Sequence, residues 1–270
     1  MIAIDGKCLR RSKDGAIGKA AIHLVSAFAT RKCMVLAQVS CKEKSNEITV
    51  IPKLLQLLDI KGCIITIDAM GCPKNIARQI VEGGGDSVLH LKADHETLHN
   101  EAHLFFYDAL DTEFEESPHD YFESSEQGHD RDETRRVWCT DWVDWLPKRE
   151  DWSGVSSLIF VEHRRQVLGK AVSIEPSTYL CSLSQLTASN ASRFVREHWG
   201  IENRLHWVLD VIFREDESRV RKGHGHENFA TIRRIALQLL RKEISHRGRI
   251  KTKQFRAAMD NAYLRKVAGL

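Results

Sequence analysis

Three acidic residues occupy positions from which carboxylates can do chemistry. Asp5 ends the apolar run MIAID (1–5), and Asp68 ends a second apolar run that begins at residue 62. Glu202 belongs to the amphipathic segment 198–219, where it borders an apolar stripe, so we expect its carboxylate to be drawn partly inward. Side chains at the carboxyl ends of strands line the functional crevice of α/β sheets, and the pattern therefore predicts three converging carboxylates.

Such a cluster has a defined chemistry. Two like charges ~4 Å apart repel by ~4 kcal/mol at an effective dielectric near 20, so the group either shifts its pKa values or holds a divalent cation. Carboxylate oxygens favour Mg²⁺ or Mn²⁺. Two such ions ~3.5–4 Å apart activate a nucleophile and stabilise the leaving oxygen of a phosphodiester. Each acid alone also has a plainer interpretation, as a turn former or as a surface glutamate whose stem covers the core.

The elements that must position these acids follow from hydrophobic periodicity. Strands are predicted first, then a helix capped by Ser45 or Asn46, and then strands that alternate with a helix. The predicted strands cover 1–5, 21–30, 33–40, 62–70 and 86–94, and the predicted helices cover 43–60 and 73–85. This order indicates an α/β core with three antiparallel strands first and parallel crossovers after them.

The rest of the chain divides by composition. Residues 1–94 form the first part of the predicted core, 95–185 a mixed, partly β insertion, and 186–270 the helical completion of the core with a basic tail. Residues 93–151 hold 18 Asp and Glu against 5 Lys and Arg, whereas 214–270 hold 15 Lys and Arg against 6 acids. The tail is either a surface for a polyanion or a solvated helical face. We expect the acidic insertion to lie away from any nucleic acid, at a contact between protomers.

Several classes of protein are excluded. No apolar run approaches the ~18 residues of a membrane span, and the N-terminus lacks the apolar region of a signal peptide. The seven cysteines form no CxxC pair, which indicates reduced thiols rather than a zinc ribbon. The composition therefore predicts a cytoplasmic protein with no membrane partner.

Four sequence blocks, in the same order along the chain, carry a resemblance to a known family. They are DGK (5–7), EKSNEI (43–48), TIDAMG (66–71) and HWGIENRLHWVLDVIFRED (198–216). Together they resemble the DDE transposases of the ISAs1 insertion-sequence family, which includes the H-repeat-associated proteins and is IS4-like. The resemblance extends over essentially all 270 residues.

The resemblance implies a ribonuclease-H-like catalytic domain. It places the family's Asp-Asp-Glu triad on Asp5, Asp68 and Glu202, the same residues that the physical argument gathers. The implied cofactor is Mg²⁺ or Mn²⁺, as two ions, and the implied activity is DNA strand cleavage and strand transfer. The implied partners are the double-stranded insertion-sequence ends and the target DNA. A homodimer on the DNA, associated with the nucleoid, is expected.

Basic and aromatic residues near the triad are candidates for DNA contacts. The basic candidates are Lys7, Arg10, Arg11, His198 and Arg204. Trp199 and Trp207 either stack on an unpaired base or pack their helix onto the sheet.

The chain also departs from the family's pattern. Related members carry a further module before the first catalytic strand, whereas Met1 stands shortly before Asp5 here. The segment Lys92–His95 and Pro73 also differ from the usual residues. A truncated insertion-sequence copy is therefore expected, and a catalytically silent DNA-binding remnant is an open alternative.

A second motif, in the segment 95–103, predicts a different chemistry. HETLH (95–99) matches the HExxH pattern of zinc metalloproteases, with His95 and His99 as ligands, Glu96 as general base and His103 one turn further on. The motif begins its helix directly after a strand and a predicted Asp94 cap, instead of lying inside a helix. With 13 histidines in the chain, the short pattern also arises readily by chance.

Overall fold

Nine strands form one sheet in this computed structural model, which describes residues 1–13, 18, 20–41, 47–68, 74–92, 95–115, 117–128 and 131–270. The strands are β1 (Ile2–Leu9), β2 (Ile22–Ala29), β3 (Met34–Cys41), β4 (Ile64–Ile67), β5 (Asp86–Leu91), β6 (Asp120–Gly128), β7 (Arg131–Thr140), β8 (Ser157–Val167) and β9 (Ser173–Cys181). Their spatial order is β3-β2-β1-β4-β5-β9-β8-β7-β6. The sheet is mixed and mostly antiparallel.

The first half of the sheet has the predicted topology. Strands β1, β2 and β3 are antiparallel neighbours, and β4 and β5 then continue the sheet parallel to β1. The crossovers to β4 and β5 contain helices α1 (Glu47–Gln56) and α2 (Lys74–Glu82). The predicted caps of α1, Ser45 and Asn46, lie outside the described residues, as do Pro73 and Asp94.

Alternation along β1 and β4 assigns their side chains to two faces of the sheet. Ile4 and Ile67 are register partners and belong to the core cluster that includes the apolar residues of α1 and α2. Ala3 faces the other way and packs against Ile201 and Leu205. Because Asp5 and Asp68 each follow the paired isoleucines by one residue, they are neighbours on the Ala3 face of the sheet.

The second half of the sheet comes from the segment predicted as an insertion. It begins with helix α3 (Glu96–Asp111), and its last strand, β9, pairs antiparallel with β5. The sheet therefore continues directly from the core strands into β8, β7 and β6. Some of the acids there balance cations across strands: Arg136 lies 2.9 Å from Glu123 on β6 and 3.4 Å from Glu162 on β8.

Helices complete the Ala3 face and the C-terminus. They are α4 (Ala188–His198), α5 (Trp207–Val211), α6 (Gly225–Lys242), α7 (Ile250–Met259) and α8 (Asn261–Ala268). A π-helical turn, Glu202–His206, joins α4 to α5. None of the helices in the described part of the chain has the length and apolarity that crossing a bilayer would demand.

Candidate active site

Asp5 was expected to end its strand, but β1 continues to Leu9, so Asp5 lies in the middle of β1. The sheet face there is covered by the segment after α4. Its Oδ1 accepts a hydrogen bond from the Gly6 backbone N–H at 2.8 Å. Burial raises the pKa of Asp5, and the carboxylates of Glu202 and Asp68 raise it further, against the opposing effects of His206 and the Gly6 N–H. The three predicted carboxylates are therefore close enough for the other two to disfavour ionisation of Asp5.

Asp68 immediately follows β4 and has two basic neighbours, His90 on β5 and Lys92 just after it. Its Oδ1 lies 2.5 Å from His90 Nδ1 and 2.8 Å from Lys92 Nζ. Burial opposes ionisation, but the hydrogen bonds from His90 and Lys92 outweigh it and lower the pKa of Asp68 to about 2. Tyr179 stacks on the His90 ring with the ring centroids 4.7 Å apart, which fixes the imidazole against the sheet.

Glu202 begins the π-helical turn. The Trp207 backbone N–H donates to the Glu202 carbonyl, five residues earlier, instead of to residue 203. The predicted apolar stripe is confirmed, since Ile201 and Leu205 are buried against the sheet. The Glu202 side chain lies at the rim and is 55 % exposed, but its carboxylate turns inward to the buried His206.

His206 joins two of these carboxylates. Its Nδ1 lies 3.0 Å from Glu202 Oε2 and 3.5 Å from Asp5 Oδ2, while its side chain is only 3 % exposed. Within the described residues, Asp5, Glu202 and His206 form one group of potential metal ligands, whose atoms lie within 4.8 Å of one another. The hydrogen bond from His206 is also the main cause of the lowered pKa of Glu202.

An open groove begins at this cluster and runs along the face of the second half-sheet. Asp68 and Glu202 line it together with α4 and side chains of β7, β8 and β9. Its charged and aromatic lining includes Lys92, Arg131, Glu133, Arg135, Glu175, Tyr179, Arg196, Trp199 and Arg204. Glu126, Arg131, Glu133 and Arg135 of the acidic segment thus line part of this groove.

The basic residues after Asp5 take two different positions. Lys7 is buried, with its ammonium 2.6 Å from Asp210 and 3.3 Å from Asp216, so its charge is already paired. Arg10 and Arg11 are exposed. Arg10 lies 3.3 Å from Asp216 and keeps most of its surface in solvent.

The remaining candidates for DNA contact also separate. His198 is buried, its Nδ1 lies 2.8 Å from Thr66 Oγ1, and burial lowers its pKa to about 4. A buried neutral imidazole presents no cation to a phosphate, so this geometry does not favour the predicted contact. Arg204 is exposed at the groove. Trp199 and Trp207 each leave about half of their surface exposed.

The HExxH residues do not assemble a metal site in the described part of the chain. His95 precedes α3 and packs edge-on against Trp152, with the ring centroids 5.0 Å apart. His99 instead stacks on His103. The structure therefore gives no support to the zinc metalloprotease interpretation.

The residues that sequence reasoning missed are His90, Lys92 and His206. Alternation along β5 puts His90 on the same face as Asp68, and Lys92 continues that alternation beyond the strand. His206 follows Glu202 by four residues, the spacing of helix neighbours. Both signals are present in the sequence, but neither is specific without the triad.

Comparison with known proteins identifies the relatives of this chain. A family described as "Transposase DDE domain" matches residues 1–239. The chain is 39 % identical over 270 residues to "H repeat-associated putative transposase YhhI" of Escherichia coli strain K12, an alignment that covers 99 % of this chain and 71 % of that protein. It is 38 % identical over 269 residues to "Putative transposase YncI" of Escherichia coli O157:H7, covering 99 % and 68 %.

Proposed function

This chain belongs to the family of transposase DDE domains, and we propose on that basis that it cleaves DNA strands and transfers them to new sites. The carboxylates of Asp5, Asp68 and Glu202 are the proposed catalytic and metal-binding groups. The observation that carries the proposal is the proximity of these carboxylates. Asp5 on β1 and Asp68, directly after β4, belong to neighbouring parallel strands, and a carboxylate oxygen of Glu202 lies within 4.8 Å of one of Asp5. We further propose membership of the ISAs1 group and a ribonuclease-H-like core built on the order β3-β2-β1-β4-β5.

The donor atoms fit a divalent cation. Asp5 and Glu202 supply oxygens, Asp68 lies close enough to raise the pKa of Asp5, and a cation would relieve that mutual repulsion. Hard oxygen donors suit Mg²⁺ or Mn²⁺, and two ions are proposed. When bound, such ions activate the attacking oxygen and stabilise the leaving oxygen of a phosphodiester.

The chain's own residues have distinct parts in this reaction. Lys92 and His90 keep Asp68 ionised and fix the orientation of its carboxylate at the end of β4. Asp5 is held at Oδ1 by the Gly6 N–H, which leaves its other oxygen directed toward Glu202 and His206. These contacts set the carboxylates in place before substrate binds, so little reorganisation is needed during the reaction.

The proposed substrate is double-stranded DNA: insertion-sequence ends and target. Arg204 at the groove and Arg10 and Arg11 beyond β1 offer exposed cations for phosphates. Trp199 and Trp207 have enough exposed ring to stack on an unpaired base. A homodimer that acts on nucleoid DNA in the cytoplasm completes the proposal.

A direct test is the nicking of supercoiled plasmid in Mg²⁺ or Mn²⁺. The parent should convert the plasmid to the open circle, whereas Asp68→Ala and Glu202→Ala should lose at least about a hundredfold in rate. His95→Ala, in the rival motif, is the matched control and should nick like the parent. If the folded parent binds DNA but does not nick it, the proposed enzymatic activity is contradicted and a catalytically silent DNA-binding protein is favoured.

A further inference from the structure

His206 occupies an unusual position for a histidine. Its imidazole is almost completely buried, yet its Nδ1 faces two carboxylates that belong to segments nearly two hundred residues apart, β1 and the π-helical turn. It contacts Asp5 and Glu202, and Lys7 is a further charged group that acts on Glu202. Such a side chain either binds a metal through Nδ1 or donates a hydrogen bond from it.

The other ring nitrogen separates these two roles. His206 Nε2 is buried and has no hydrogen-bond partner among the described residues. A metal ligand at Nδ1 needs its lone pair there, which moves the ring proton to Nε2 and leaves a buried N–H without an acceptor. Buried N–H groups without a partner are rarer in proteins than acceptors without one. The buried surroundings thus favour the tautomer with the proton on Nδ1.

The acceptors around Nδ1 lead to the same tautomer. Glu202 Oε2 at 3.0 Å is within hydrogen-bond distance, and Asp5 Oδ2, at 3.5 Å, is a second carboxylate oxygen near the same nitrogen. Two carboxylate oxygens that face a lone pair would repel it, whereas an N–H between them attracts both. The N–H therefore holds the two carboxylates at a fixed separation.

We propose that His206 is a positioning residue, whose Nδ1–H lies between Glu202 Oε2 and Asp5 Oδ2 and orients the remaining lone pairs of both carboxylates toward one divalent cation. The inference rests on the proposed function for the identity of the metal site. Glu202 needs this restraint because its side chain is more than half exposed and accepts no other side-chain hydrogen bond from the described residues. Without the imidazole, the glutamate would sample rotamers that turn its carboxylate away from Asp5.

The first test measures Mn²⁺ affinity by calorimetry and by the electron paramagnetic resonance of free Mn²⁺, in the absence of DNA. His206→Leu fills the buried site with an apolar side chain and removes the hydrogen-bond donor. It should weaken Mn²⁺ binding about 10- to 100-fold, the usual effect of losing a residue that hydrogen-bonds a metal ligand. His206→Asn retains an N–H donor near the Nδ1 position and should recover most of the affinity. His99→Asn, in α3, is the matched control.

A second measurement separates positioning from direct ligation. The ¹⁵N spectrum of the ring, assigned by its absence in His206→Asn, should show a protonated Nδ1 both without metal and with saturating Mg²⁺. A proton on Nε2 instead, or loss of the Nδ1 proton when metal binds, would overturn the proposal and make His206 a ligand. Parent-like Mn²⁺ affinity in folded His206→Leu would overturn it as well.

The two proposals fail in different ways. If the parent binds Mn²⁺ through Asp5 and Glu202 but never nicks DNA, the proposed enzymatic function is refuted, whereas the proposed role of His206 is not. A parent that binds no Mn²⁺ at these residues would remove the role of His206, whatever tautomer the ring adopts.

Discussion

The ammonium of Lys7 donates hydrogen bonds to both carboxylate oxygens of Asp210, 203 residues further along the chain, at 2.6 and 2.7 Å. Lys7 shares β1 with Asp5, and Asp210 belongs to α5, directly after the turn that carries Glu202. The pair therefore joins β1, which carries Asp5, to the helix that directly follows the turn with Glu202. Lys7 was expected to contact DNA, but its contacts in the structure hold β1 and α5 together.

Removing this cation should destabilise the fold. Lys7→Met removes the cation of Asp210 and leaves Asp216 with only the exposed Arg10, and we expect a loss of about 2 kcal/mol in the free energy of unfolding in urea. Arg10→Met is the control, because Arg10 contacts the same Asp216 from a position that is 81 % exposed. That variant should change stability by less than about 0.5 kcal/mol. Equal losses in both variants would contradict the account.

A second buried pair should be more costly to break. Arg234 on α6 lies 2.9 Å from Glu215, and both side chains are almost fully buried. Arg234→Met strands the Glu215 charge in the interior and should cost about 3–5 kcal/mol of unfolding free energy, whereas the double variant Glu215→Leu/Arg234→Met should recover much of it. Arg214→Met, which removes an exposed pair with Glu217, is the control. A double variant no more stable than Arg234→Met would show that the loss is not due to the stranded charge.

His198 predicts a dependence of stability on pH. Burial lowers the pKa of folded His198 to about 4, from the usual 6.5 of a histidine, so between these values the unfolded chain binds a proton that the folded chain does not. Stability should therefore be complete above pH ~6.5 and fall by about 3 kcal/mol at most as the pH drops toward 4. The free energy of unfolding, measured by urea denaturation at several pH values in this range, should change less steeply with pH in His198→Asn than in the parent. An identical slope in both proteins would mean that His198 does not titrate in this way.

Arg204 should contribute a phosphate contact. It is exposed at the groove, beside Glu202, and its replacement by Gln should weaken DNA binding and reduce the slope of log K against log salt by about 1. Lys61→Gln removes a cation from the turn before β4, at the opposite end of that strand from Asp68, and should leave the slope unchanged. Fluorescence anisotropy over a range of salt concentrations measures both variants. The same slope change in both would argue for binding over the whole surface.

Local signals in the sequence were sufficient for half of the sheet. Apolar runs such as 62–70 are bounded by turn residues and have no helical periodicity, so β4 and its neighbours were predicted in the observed order. Strands β6 and β7 were missed because their outer parts carry charges on both faces, and they show no alternation. Only the pairing of β9 with β5 shows that these charged strands continue the core sheet.

The candidate site was predictable only where its residues follow a short apolar run or lie in the recognisable blocks. Asp5, Asp68 and Glu202 were gathered in this way, and the structure brings them together. The roles of Lys7 and His198 depend on partners that are distant in sequence, Asp210 and Thr66, and no local pattern announces those contacts. Long-range pairing decides which basic residue faces solvent and which one is buried.

The claim that these carboxylates bind metal during the reaction is tested most directly by replacing them with a softer ligand. Asp5→Cys and Asp68→Cys should each lose plasmid nicking in Mg²⁺, since this ion binds thiolate poorly, and should regain part of it in Mn²⁺. Asp151→Cys, which removes a carboxylate paired with Lys74 outside the groove lining, should nick in either metal like the parent. Selective rescue by Mn²⁺ at Asp5 and Asp68 is the predicted result. Full nicking in Mg²⁺ by either cysteine variant would contradict the account.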